Sequence, residues 1–118
     1  MSIERAQTIE KNSQLWWQLW AANEAVAKFF NKPVQKPKVL LVSELPVMPV
    51  KAIRGKFYDQ ELLGDCNILT AEIRVKVRPG WRRTYIHELV HLYNTDRSEA
   101  WVKTATKDCI GMMRANRP

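Results

Sequence analysis

The sequence predicts a single α+β domain. Three observations carry that reading: an apolar pattern of helical period across residues 13 to 30, an alternating run at residues 68 to 77, and a second amphipathic helical pattern just after Arg78-Pro79-Gly80. Helix and strand patterns occupy separate stretches instead of alternating unit by unit, as expected of an α+β chain. A length of 118 residues suits one hydrophobic core. One domain over residues 1–118 is therefore expected, with an N-terminal helix packed on a small, mostly antiparallel sheet, followed by two helices.

Each element has its own signal. Leu15, Trp16, Leu19, Trp20, Ala22, Val26, Phe29 and Phe30 recur at three- and four-residue spacings. Asn12 or Ser13 can cap the start of that helix, and residues 3 to 11 can extend it. Asn31-Lys32-Pro33 ends it, because the residue before a proline is disfavoured in helix. Lys38 to Ser43, KVLLVS, reads as a buried strand bounded by prolines. Residues 52 to 58 form a weaker strand candidate, interrupted by Gly55, and Asp59 to Asn67 reads as a loop. In the alternating run, Leu69, Ala71, Ile73, Val75 and Val77 share one face, which predicts a half-buried antiparallel strand. Arg78-Pro79-Gly80 turns the chain. Helices are then expected from about Trp81 or Arg82 to Tyr93, and from about Arg97 to Met113.

Composition bounds the function classes. The chain is 46% hydrophobic and 26% charged, which are globular values. The N-terminus carries Glu4, Arg5, Glu10 and Lys11 before any apolar stretch, unlike a secretory signal. No apolar run approaches the ~20 residues of a membrane span. Cys66 and Cys109 form no CxxC pair, so neither a zinc ribbon nor a redox motif is available. A cytoplasmic location with reduced thiols is the expectation. Nineteen Lys and Arg against 12 Asp and Glu leave a net charge of +7. Such a balance attracts polyanions, nucleic acid foremost, and equally serves solubility. Trp16, Trp17 and Trp20 cluster, placing much aromatic bulk in one core or groove.

The chemistry sits in YIHELVHLYN, residues 85 to 94. His87 and His91 project from one helical face, one turn apart, and two such imidazoles can hold one zinc at about 2.0–2.1 Å. Glu88 lies about 100° round the helix, within reach of a metal-bound water without being a ligand. Zinc lowers that water's pKa, and the carboxylate can take its proton during attack on a peptide carbonyl. These are the chain's two histidines. Such a five-residue motif also arises by chance, and the flanking strand, turn and amphipathic helix supply the context it requires.

The organisation resembles the SprT-like branch of the zincin metalloproteases. The matching pieces are LWWQLWAANEAVAKFFNKPVQKPKVLLVS, then CNILTAEIRVKV, then YIHELVHLYN, together spanning roughly residues 13 to 105. The resemblance implies a zincin-like core, a zinc endopeptidase activity and a setting near DNA, since the family includes proteases that cleave proteins crosslinked to DNA. It also implies a third ligand in a segment like HxxxW, and here the chain departs. The aromatic matches Trp101, yet Arg97 stands four residues before it.

A carboxylate is the natural replacement. Glu99, in SEAW, resembles the glutamate that some zincins supply from the following helix. Asp96 and Asp108 are rivals and Cys109 a more distant one; Asp96-x-x-Glu99 also reads as a capping box. Tyr85 or Tyr93 could donate to an oxyanion, although tyrosines on a core-facing stripe more often pack. Arg82 and Arg83 could touch nucleic acid or a substrate carboxylate. The 68–77 strand could offer its edge to an extended peptide. Two functions are thus expected to compete: a zinc endopeptidase using Glu88 as base and His87, His91 and Glu99 as ligands, or a basic nucleic-acid-binding or adaptor domain with little turnover.

Overall fold

The computed structural model describes residues 7–8, 13–43, 47–51, 57–61 and 63–115, with side chains described for 13–43 and 63–115. In chain order the elements are β1 (Gln7–Thr8), α1 (Gln14–Phe29), β2 (Lys38–Val42), β3 (Val47–Lys51), β4 (Phe57–Glu61), β5 (Gly64–Asn67), β6 (Glu72–Lys76), α2 (Trp81–Tyr93) and α3 (Glu99–Ala115). The α+β class is as expected. A four-stranded sheet has the order β1-β2-β6-β5, and β3 and β4 form a separate antiparallel pair. Within the sheet β2 and β6 run parallel, with Lys38 opposite Glu72, while β1–β2 and β5–β6 are antiparallel.

α1 begins where Ser13 accepts from the Trp16 N–H at 3.1 Å. It ends in a Schellman motif. Asn31 takes φ 52°, its N–H donates to Lys28 O, and the Lys32 N–H donates to Ala27 O. Residues 3 to 11 do not all continue the helix, because Gln7 and Thr8 pair with Leu41 and Leu40. Residues 9–12, with Asn12, lie outside the described residues.

Three further expectations change. The alternating run is not one strand: only Glu72–Lys76 is extended, with Ile73 and Val75 fully buried. The Asn67 side chain accepts from the N–H groups of Leu69 and Thr70, and Ala71 takes φ 54°. That local bonding offers the backbone a turn instead of a ladder and leaves Leu69 93% exposed. The segment 59–67 is largely strand, divided between β4 and β5, and residues 52–56 of the weak strand candidate lie outside the described residues. β3 has no counterpart among the expected elements.

α2 is the hub. It contacts β5 and β6 on one side and both α1 and α3 on others, and α1 packs chiefly on α2 and α3. Leu89, Val90, Leu92, Tyr85 and Tyr93 of α2 join Ile73, Val75, Leu41, Leu19, Val26, Val102 and Cys109 in one buried cluster. The tryptophans of α1 stay out of this core. Trp16 and Trp20 stack on each other at 5.8 Å and line a groove with Pro37 and Val39, and Trp17 is exposed.

A hydrogen-bond network ties the buried Asn23 to Tyr93 and Gln35. The Tyr93 hydroxyl donates to Asn23 Oδ1 at 2.7 Å and accepts from the Gln35 N–H, while Asn23 Nδ2 donates to Gln35 O. Tyr85 donates to Leu19 O at 3.0 Å. Both tyrosine hydroxyls are therefore engaged by α1 or the segment following it, the packing role weighed against an oxyanion donor. Lys32 Nζ donates to Tyr93 O and to Asn94 Oδ1, placing a cation on the carbonyl end of α2. Among the described residues, no helix is long and apolar enough to cross a membrane, and both cysteines are free thiols.

Candidate metal centre

The turn that launches α2 is built for its glycine. Gly80 has φ 85°, and the Trp81 N–H donates to Arg78 O, so Pro79-Gly80 forms the centre of a type II turn. From there the helix places His87 and His91 with ring centroids 4.9 Å apart. The chain then leaves α2 through Asn94 at φ −140° and ψ 68°, which is not a left-handed turn. Its Nδ2 instead donates to Val90 O, closing the last turn of the helix.

α3 starts at Glu99, two residues later than expected. Its cap is Ser98, whose Oγ accepts from the Trp101 N–H at 3.2 Å. Asp96 therefore does not cap the helix; it stands too far back for the first-turn N–H groups. Ser98→Ala should cost about 1 kcal/mol, read as a lower midpoint in urea unfolding, whereas Asp96→Ala should leave that midpoint nearly unchanged.

This start directs Glu99 at the two histidines. His87 Nε2 lies at hydrogen-bond distance, 2.7 Å, from Glu99 Oε1, and His91 Nε2 lies 2.8 Å from Glu99 Oε2. One ligand atom from each of the three residues lies within 4.8 Å of the others, close enough to hold a metal ion. Asp96 and Asp108 are exposed and outside this group, and Cys109 is buried in the core. Burial, set against a smaller opposing pull from Glu99, lowers the His87 pKa, which favours the neutral imidazole that metal binding requires.

Glu88 is 7% exposed. Burial, then the negative charges of Glu99 and Asp65, push its carboxyl up to about 8. A buried carboxyl with a raised pKa beside a possible ligand set is what a proton-accepting group needs. Three neighbours went unrecognised in the sequence. Asp65 pairs with Arg74 through two contacts across β5 and β6. Cys66 is pushed up to about 11, mainly by burial, which favours the neutral thiol, and it is not part of the histidine–Glu99 group.

Gly64 is the third. A methyl group there would come within 2.7 Å of Thr84 Cγ2, 3.1 Å of Arg74 O and 3.4 Å of Glu88 Cγ. Its missing side chain lets β5 approach α2 beside Glu88. Gly64→Ala should move strand and helix apart, at a cost of roughly 1–3 kcal/mol; an unchanged melting temperature would show that β5 yields freely. The only sequence signal was a glycine in an expected loop.

The 68–77 segment does not offer an edge, because β6 is paired on both sides and β5 stands outside it. Arg82 Nη2 donates to Gln18 Oε1 at 3.1 Å and its guanidinium sits 4.9 Å from the Trp81 ring centroid, while Arg83 is exposed. No family model, curated protein or solved structure matches this chain.

Proposed function

We propose that this chain is a zinc-dependent endopeptidase with a zincin-like core, in which His87, His91 and Glu99 hold the metal and Glu88 is the general base. The observation that carries the reading is the Glu99 carboxylate standing between the two imidazoles, with one oxygen toward each.

The donor set suits zinc. Two neutral nitrogens and one carboxylate are a familiar catalytic set, leaving the fourth tetrahedral position for water or substrate. Glu99 is 57% exposed, so its carboxylate has room to adjust between the two imidazoles as a metal is taken up. Each neutral histidine would carry its single ring proton on Nδ1, leaving the Nε2 lone pair for the metal.

When bound, zinc acidifies water and polarises the scissile carbonyl. The residues supply the remainder. His87 and His91 are fixed by a helix whose other face is core, so their rings are held before binding. Glu88 accepts the proton of the attacking water as the oxygen–carbon bond forms, then delivers it to the amine nitrogen as the carbon–nitrogen bond breaks. Its burial keeps bulk water from competing for that proton. The net charge of +7 favours substrates associated with DNA or another polyanion.

The test is metal analysis of the purified chain, then digestion of an unfolded protein with and without a chelator. About one zinc per chain and chelator-sensitive cleavage are expected. Metal-free, folded protein that takes up no added zinc would overturn the reading. A nucleic-acid-binding or adaptor domain has the same net charge in its favour. Zinc uptake and salt-sensitive DNA binding without cleavage would select it.

A further inference from the structure

A second site lies outside the metal centre. The middle of α1, the first turns of α2 and the last turns of α3 enclose a cavity of about 370 Å³. Leu19, Ala22, Ile86, Ile110 and Met113 give it an apolar surface. Arg82, Arg83 and Arg114 also line it, and among the described residues no carboxylate does. None of the metal ligands contributes.

From this combination we infer that the cavity binds an amphipathic carboxylate, with its apolar body against Ile86, Ile110 and Met113 and its anionic end on the arginines. Each half of the lining calls for a different half of the ligand. Three guanidiniums brought around one cavity repel one another, and an anion relieves that repulsion; their planar fork matches a carboxylate in bidentate fashion. Arg82 is already oriented by Gln18 and the Trp81 ring, which reduces the ordering cost of binding. The apolar surface gains only if the ligand carries hydrocarbon to cover it. The volume falls within the range of small-molecule sites. A nucleic-acid backbone answers only one half: its phosphates would meet the arginines and leave the apolar surface wet.

Decanoate, used well below micelle-forming concentration, is the probe, and calorimetry on the full chain is the measurement. One decanoate per chain is expected, with decanol and inorganic phosphate each bound at least about tenfold more weakly, since each supplies only one half of the interaction. Arg83→Glu and Arg114→Glu, both at exposed positions, should each weaken decanoate binding by a similar factor without changing the melting temperature. Ile110→Trp should block the site by filling it. Decanol binding as tightly as decanoate, or unchanged affinity in both charge-reversal variants, would overturn the assignment. Displacement of decanoate by a short DNA duplex would give the site to nucleic acid instead. Zinc content has no part in these readouts, so the site stands or falls apart from the protease reading.

Discussion

Glu88→Gln is expected to lower hydrolysis by roughly 100- to 10,000-fold while leaving zinc bound, because glutamine keeps the shape of the side chain but cannot accept the water's proton. The same change should make the metal-free domain more stable at alkaline pH. The folded chain binds a proton at Glu88 more tightly than the unfolded chain, since burial raises its pKa from 4.5 to about 8. Between those values the folded state holds the extra proton, so stability falls as pH rises through the interval and remains low above it. Glutamine carries no charge to desolvate and escapes that loss. At pH 9 the gain should be on the order of 3 kcal/mol, read by urea unfolding of the metal-free parent and variant at pH 4 and pH 9. Equal turnover by the two proteins would remove Glu88 from the mechanism, and a pH-independent difference in stability would remove the desolvated carboxylate as its cause.

The second large effect concerns Glu99. Glu99→Ala should weaken zinc affinity by at least about tenfold, the loss that removing a mere supporting partner can cause. Here the carboxylate itself meets both imidazoles at 2.7 and 2.8 Å. The fold should survive, because the side chain is largely exposed and Ser98 caps α3. Competition with a chromophoric chelator gives the affinity. Asp96→Ala measured alongside should bind zinc as the parent does. The reverse pattern would move the third ligand to Asp96.

The parts of this molecule legible in the sequence are those set by local periodicity. α1 and α2 follow from the spacing of their apolar residues, and β2 from a β-branched run between prolines. His87, Glu88 and His91 are readable because four residues is one helical turn, whatever the rest of the chain does. Glu99 could be named only as one carboxylate among several, since its place depends on how the chain leaves α2. That path is set by the backbone turn at Asn94 and by Ser98 at the next helix start, two local choices that compete with equally plausible ones at Asp96. The 68–77 run departs from its alternating pattern because the Asn67 side chain accepts from the Leu69 and Thr70 N–H groups and turns the backbone there. Asn23 was unreadable in another way. A polar residue on an apolar helical face looks like a surface position, and only tertiary contact with Tyr93 and Gln35 gives it a reason to be buried.

The parallel pairing of β2 with β6 bears on how the chain comes off the ribosome. Lys38 finds its partner at Glu72, so β2 is synthesised well before the strand that completes it, and everything from β3 to β5 has to be closed into a loop first. Such closure is costly and makes non-local pairing slow. During that interval the backbone groups on one side of the apolar KVLLV segment have no sheet to join. An unpaired strand of that composition invites pairing with another nascent chain. Chains halted before residue 72 should therefore collect in aggregates, whereas chains released after α2 should remain dispersed.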